Sequence, residues 1–419
     1  MKKLSFSYEK IDITPPIGIR LGGYAHRLGK PSIKVHDPLY SRLLYITNNV
    51  DEILIVQMDI LGIYLSDAEN IKEKIHRKTG IKKDNIFIIA IHNHSSPETI
   101  IPMWPNTFPY STDEKNLFDK WWNITVNKIV EASQKTVDLY KNGIVSFGKI
   151  PVKQLCGNRT YGEEGEVSKN IYVVAFRNSE SNILLLNYAC HPVCNTDLGI
   201  SADYPGAIYS EMIKNGWETI FTTGSTGDIN PLQKGRQYID YIGKTISQSI
   251  FENLNIFKEV RENTINIWTE YFKVRFRTPS IPDPKQYFLK AYEICEDNQF
   301  KQECLVKLLY ADEFYEISKD GKHEKTTIIH MFSIGKLLFV TVPGEMFLEI
   351  ENELRNEIEK NGMFPIFSNY SEDYIGYIPT KKAFELNSYE ARLARWSRIT
   401  PTGVKRIKNK IREIYKKHL

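Results

Sequence analysis

Short apolar runs alternate with amphipathic ones along this chain. Residues 53–58, closed by Asp59, read as a buried strand, and residues 85–91, 183–189, 218–222 and 336–342 repeat the pattern. Between them the period lengthens to that of a helix. Ser66 with Glu69 matches a capping box, and Gly80 ends the segment it opens. Ser111 with Glu114 matches a second box, followed by Leu117, Trp121 and Ile124 at helical spacing. Residues 204–215 read as a helix stopped by Gly216, and 345–360 as one opened by Pro343 and Gly344. This strand–helix rhythm predicts α/β layers in one domain over residues 1–419. A hydrophilic stretch at about 282–324 interrupts it and predicts a helical insertion with a weak domain boundary.

The C-terminal segment differs in charge. Residues 392–419 hold ten Lys or Arg against one acid, Glu413. Val404, Ile407, Ile411 and Ile414 fall on one face, so residues 402–418 are expected to form a basic amphipathic helix. Its apolar face would dock on the body. Its basic face would be solvated, or would make a peripheral contact with an anionic membrane or acidic partner. Elsewhere, 42% apolar and 25% charged residues are globular proportions. A net charge of +4 gives no reason to expect nucleic acid. No run reaches the ~20 apolar residues of a membrane span. No apolar segment follows Lys2 and Lys3, so no secretory signal is expected. Five cysteines, few and odd in number, predict free thiols in a reducing cytoplasm.

Candidate chemistry gathers where apolar runs end. His92-Asn93-His94-Ser95-Ser96-Pro97 follows the run at 85–91, and two histidines at i and i+2 on a strand end would face one way, as zinc ligands do. Ser and Pro follow where a metallo-β-lactamase would continue with Asp and His. His191 ends a second run, flanked by Cys190 and Cys194, which are either soft ligands or small buried filler. Residues 223–231 (TGSTGDINP) nearly match a hydrolase nucleophile elbow around Ser225, with Thr223 in place of its first glycine. They read equally as a turn bound by Asp228 and Asn230 or as the lining of a polar pocket. Glu345 follows Pro343 and Gly344 as a helix-start carboxylate or a metal ligand.

Taken in order, these pieces resemble the catalytic domain of the neutral/alkaline (non-lysosomal) ceramidases, a family of zinc amidases. The resemblance rests on Asp12-Ile13-Thr14-Pro15-Pro16, Gly22-Gly23-Tyr24, the His92–His94 motif, Asn158-Arg159-Thr160, His191, Gly227-Asp228-Ile229-Asn230-Pro231, Pro343-Gly344-Glu345 and Tyr374-Ile375-Gly376-Tyr377. It implies layered mixed β-sheets flanked by helices. It also implies zinc on His92, His191, Glu345 and Tyr377, acid/base work by His94, and substrate contacts from Arg159 and Tyr389. Tyr389 keeps the family's twelve-residue spacing from the zinc tyrosine.

Two departures accompany the resemblance. Asn230 stands where the family carries serine, and a carboxamide cannot be acylated as a hydroxyl can. Neither a signal nor the family's C-terminal β-sandwich domain is expected here. The resemblance therefore implies a soluble, cytoplasmic, zinc-dependent hydrolase of a small-molecule or lipid-like amide, using zinc-bound water, with Asn230 lining the pocket. The rival readings are an acyltransferase or cyclase at the same site, and a non-catalytic binding protein on this fold.

Overall fold

In the computed structural model, which describes residues 4–418, the strand Tyr40–Thr47 sends Leu43 and Tyr45 into one core and Leu44 and Ile46 into another. The strand Glu52–Met58 divides in the same way, with Leu54, Val56 and Met58 against Ile53 and Ile55. A strand buried on both faces needs apolar residues at consecutive positions, which is why these runs lack the polar half of a surface strand. Lys2 and Lys3, on which the reading of the N-terminus rested, lie outside the described residues.

Three sheets share the inner core. The first runs in space Ile86–Ala90, Glu52–Met58, Tyr40–Thr47, Ser5–Asp12, Lys141–Asn142. The second runs Glu218–Thr223, Asn182–Tyr188, Asn170–Arg177, Ile144–Pro151, Lys258–Glu259. The third runs Ile265–Arg275, Glu324–Ile334, Leu337–Thr341, Phe364–Ser368. Each is mixed, with a parallel pair at one edge. Phe6, Phe87, Val174, Ile220, Phe332 and Phe339 bring their faces together. Helices α1 (Leu65–Thr79) and α2 (Thr112–Asp138) cover the outer face of the first sheet, and α3 (Asp203–Ile213) and α4 (Arg236–Glu252) that of the second. Helices α5 (Pro284–Asp297) and α6 (Gln302–Asp320) form a hairpin. Helix α7 (Leu348–Lys360) packs on the third sheet, followed by the short α8 (Lys381–Glu385) and by α9 (Pro401–His418). The layered, mixed-sheet α/β architecture is the expected one.

Several local readings change. The Ser111–Glu114 capping box forms, and Gly80 ends α1 at φ 81°. The Ser66–Glu69 box does not: α1 begins at Leu65, whose N–H donates to Asp373 Oδ1 at 3.0 Å. Glu345 does not open a helix. It lies in a two-residue strand, Glu345–Met346, parallel to Tyr377–Ile378, and α7 starts at Leu348 with its first N–H on Asp228 Oδ1 at 3.0 Å. In both cases a distant carboxylate takes the place of the local cap.

The helical insertion is present, but its cysteines are not free. Cys295 and Cys304 form a disulfide across the α5–α6 hairpin, with Cα atoms 5.4 Å apart. Cys156, Cys190 and Cys194 are free and buried. Disulfides persist in oxidising compartments, so the reading of five thiols in a reducing cytoplasm loses its basis. The hairpin is tied to the body by Glu313, which binds Arg395, and by Asp312, which accepts from Asn106 and Thr107. In α9, Ile407 and Ile411 are fully buried, while Lys408 and Arg412 pair with Glu353 and Glu357 of α7. Part of the basic face is thus neutralised within the fold. No described helix is long and apolar enough to cross a membrane.

Asp373 joins α1 to the third sheet. Its buried carboxylate accepts from Leu65 N–H, Thr327 Oγ1 at 2.9 Å and Lys325 Nζ at 2.7 Å. Asp373→Ala leaves the Lys325 ammonium and the helix N–H without that partner. We expect a loss of about 3 kcal/mol in urea unfolding; a loss under about 1 kcal/mol would show that the junction does not depend on it.

Candidate metal centre

Carboxyl ends of strands from all three sheets meet in one place, where open α/β sheets bind ligands. His92 and His94 follow Ile86–Ala90, His191 follows Asn182–Tyr188, Glu345 follows Leu337–Thr341, and Tyr370, Tyr374 and Tyr377 follow Phe364–Ser368. The two histidines of the HxH motif do converge, but not through strand alternation. His92 has left the strand, with φ 61°, and its ring meets that of His94 at 82°. Their Nε2 atoms lie 3.3 Å apart. The ligand atoms of His92, His94 and His191 all fall within 4.8 Å of one another.

The hydrogen bonds fix the tautomers. His92 Nδ1 lies 2.7 Å from Leu61 O, and His191 Nδ1 lies 3.3 Å from Ile229 O. A carbonyl only accepts, so each Nδ1 carries the proton and each neutral ring leaves Nε2 bare. Burial keeps the rings neutral: it pushes His92 down to about 4, and His94 and His191 well below the ordinary histidine range. Glu345 Oε2 lies 3.0 Å from His191 Nε2 and 3.6 Å from His92 Nε2. Three electron-pair donors thus face one another, and the hydroxyl of Tyr370, 3.3 Å from Glu345 Oε2 and 3.4 Å from His191 Nε2, can offer a hydrogen to only one of them. That arrangement is repulsive alone and is relieved by a cation among them.

The other residues singled out in the sequence surround this trio. Tyr377 is the cross-strand neighbour of Glu345. Arg159 Nη2 donates to Tyr377 Oη at 2.9 Å, and Nη1 to Asn230 Oδ1 at 3.3 Å. Burial opposes the charge of Arg159, but Tyr377 and Glu390 outweigh it and raise its pKa. Tyr389 is half exposed at the rim, its ring 5.9 Å from that of Tyr377. Behind His94, a Cβ on Gly23 (φ 80°) would lie 2.3 Å from Nδ1, so glycine is required there. Cys190 and Cys194 turn to backbone carbonyls, of His191 and Gln233. Ser225 is fully buried, with Oγ accepting from Asn369 and no histidine bonded to it. Asp228 serves the fold: it caps α7 and binds Asn158, and burial pushes it up to about 6.

Sequence reading passed over four residues of the site. Tyr370 stacks on His92 at 3.9 Å and 6°, with its hydroxyl 3.3 Å from Glu345 Oε2. Tyr374 donates to Glu345 Oε1 at 2.5 Å. Glu390 holds Arg159 Nε at 2.9 Å. Arg27 donates to the backbone oxygen of His94. Tyr374 opens the motif that ends at Tyr377, and Glu390 follows Tyr389 directly, and only that adjacency pointed to them.

The sequence matches no family model and no curated protein. Solved structures do match. A neutral ceramidase from Pseudomonas aeruginosa superposes with a TM-score of 0.76 at 17% identity, covering 98% of this chain and 74% of that one. A ceramidase complexed with C2 superposes with a TM-score of 0.73 at 15% identity, over the same shares. At these identities the likeness establishes the fold, which is that of the neutral ceramidases.

The buried imidazoles predict a pH effect on the metal-free protein. His92 falls from an ordinary 6.5 to about 4 on folding, so the unfolded chain binds the extra proton between those values. The stabilising contribution of neutral His92 is complete above about 6.5 and is lost as pH falls towards 4. Asp228, raised by burial, works in the opposite direction, so the effect is read as a difference. Between pH 7 and 4, chelator-treated wild type should lose up to about 3 kcal/mol more than His92→Phe in urea unfolding. Parallel pH curves would refute a buried neutral His92.

Proposed function

We propose that this protein is a zinc-dependent hydrolase of linear amides, in which water rather than a serine attacks the acyl carbon. The observation that carries the reading is the convergence of three donors, His92 Nε2, His191 Nε2 and Glu345 Oε2, at the strand ends of a neutral-ceramidase fold. Two imidazoles and a carboxylate suit zinc, and separations of 3.0 and 3.6 Å bracket the roughly 3.3 Å between ligands on a tetrahedral ion with bonds near 2.05 Å. His92, His191 and Glu345 would hold it, with Tyr377 as fourth ligand; burial holds its phenol well above the ordinary tyrosine range, Arg159 offsets part of that, and the ion would supply the rest. Such an ion lowers the pKa of a water and polarises an acyl carbonyl.

The chain's own groups supply the rest. His94, neutral and partly exposed, accepts the water proton at Nε2 and returns it to the departing amine. Tyr24, edge-on to its ring at 4.8 Å, and Arg27, on its backbone oxygen, keep that nitrogen turned to the donors. Arg159, clamped by Glu390 and Gly227 O, holds Tyr377 in the ligand set and, with Asn230 and Tyr389, would contact the substrate's acyl oxygen. Asn230 offers no acyl acceptor, and Ser225 is occupied by Asn369, so no acyl-enzyme forms. A second reading makes His94 a ligand in place of Tyr377. It is favoured by the 3.3 Å between Nε2 atoms, the spacing of two ligands on one ion.

Metal analysis of purified protein should find about one zinc per chain. His92→Ala with His191→Ala should empty the site, and full retention in that double variant would sink the assignment. His94→Ala separates the two readings. Retained zinc with turnover of N-acyl amides reduced by ~10²–10⁴ supports the acid/base role. Loss of zinc makes His94 a ligand and removes Tyr377 from the set.

A further inference from the structure

Charge is unevenly distributed around the three histidines. On the Glu345 side, carboxylates outnumber cations: Arg159 is paired with Glu390, and Glu345 is a second acid beside it. On the His94 side the cations have no paired acid. Arg27 is only 4% exposed, yet its guanidinium is held by three carbonyls, Gly22 O at 3.0 Å, His94 O at 2.5 Å and Asp197 O at 2.8 Å, and its Nε has no partner. The carboxylate of Asp197 is already taken by Lys34 and His36. Lys234 is exposed, and its Nζ rests on Val193 O at 2.6 Å. That same carbonyl accepts from Tyr24 Oη at 2.7 Å, which places the ammonium beside the ring that flanks His94. Among the described residues no carboxylate lies within 4.0 Å of Lys234. Asp203 is near, but it is fully buried and committed to the N–H groups of Asn195 and Tyr204. Both cations act on His94, and Lys234 also on His191.

An accessible ammonium and a buried guanidinium, neither within ion-pair distance of a carboxylate although Asp203 acts on both from further off, place positive charge at one side of the reaction centre. A neutral amide leaves that charge unanswered. Charge beside a binding site raises both the encounter rate and the affinity of an oppositely charged ligand. We propose that the substrate carries an oxyanionic group, a carboxylate or a phosphate, beside the amide, and that Lys234 receives it. The inference rests on the amide-hydrolase reading above and narrows it. An uncharged N-acyl sphingoid is then a poor substrate for this chain, in spite of its fold.

Three probes with one acyl chain test this: N-lauroylglycine, N-lauroyl-O-phosphoethanolamine and N-lauroylethanolamine. For the zinc-loaded protein, kcat/KM for at least one anionic probe should exceed that of the ethanolamide by about tenfold, the worth of one well-placed charge. Which anionic probe leads tells carboxylate from phosphate. Lys234→Met should bring the ratio to within about twofold, Lys234→Arg should keep it, and raising salt should shrink it. Equilibrium dialysis with chelator-treated protein gives a reading independent of turnover: the preferred anion should bind at least about fivefold tighter than the ethanolamide, and Lys234→Met should abolish the difference. Equal handling of charged and neutral probes, or a preference unchanged in Lys234→Met, overturns the inference. If zinc is bound and none of the three is cleaved, the amide-hydrolase reading fails, and dialysis still decides the anion site.

Discussion

A carboxylate oxygen of Glu345 lies 3.0 Å from a nitrogen of His191 that has no hydrogen to offer it, and the surrounding structure exists to keep the two there. Such a contact survives only if each partner is immobilised from behind. Leu61 O and Ile229 O hold the two rings by Nδ1 and so decide which nitrogen looks inward. Tyr370 and Tyr374 bind the two oxygens of Glu345. These outer contacts orient the donors in advance, as the proposed metal site requires.

That site has a foundation of its own. His92, Tyr370 and Glu372 all adopt positive φ, of 61°, 57° and 69°, where non-glycine residues are rare. Strain of that kind persists when neighbours over-determine the backbone. Here the neighbours are charged. Glu372, wholly buried, binds Lys72 of α1 at 2.6 Å and His330 of the third sheet at 3.0 Å. His330 in turn donates to Asp84 O and stacks on Phe87 at 3.7 Å. An ion pair out of water is a poor source of net stability, but removing one member is costly, which makes it a good fastener for a segment that would otherwise relax. The segment fastened carries Tyr370, Tyr374 and Tyr377.

The layers of the fold could be read from the chain because strands buried on both faces leave a continuous apolar run. The positions of His92, His94 and His191 could be read because each closes such a run. What escaped reading has a common cause. The cap of α1 comes from Asp373 and that of α7 from Asp228, so local rules placed a box at Ser66 and a helix start at Glu345. Tyr370 and Glu372 sit in irregular backbone with no period to reveal them. Cys295 and Cys304 meet because two helices fold back on one another, a fact of packing rather than of composition. Arg27 and Glu390 act through a carbonyl and a guanidinium far along the chain, and nothing beside them in sequence announces either partner.

The separation of the donors along the chain also governs how the site can arise during folding. Glu345 and His191 are 154 residues apart, and Tyr370 and His191 are 179 apart. Contacts of such long range close late, because the entropy of the intervening loops is lost before any of them is formed. Each histidine belongs to a different sheet from Glu345, so a growing chain holds no complete set of donors until Glu345 has emerged, and contact among all three would mark the three sheets as joined.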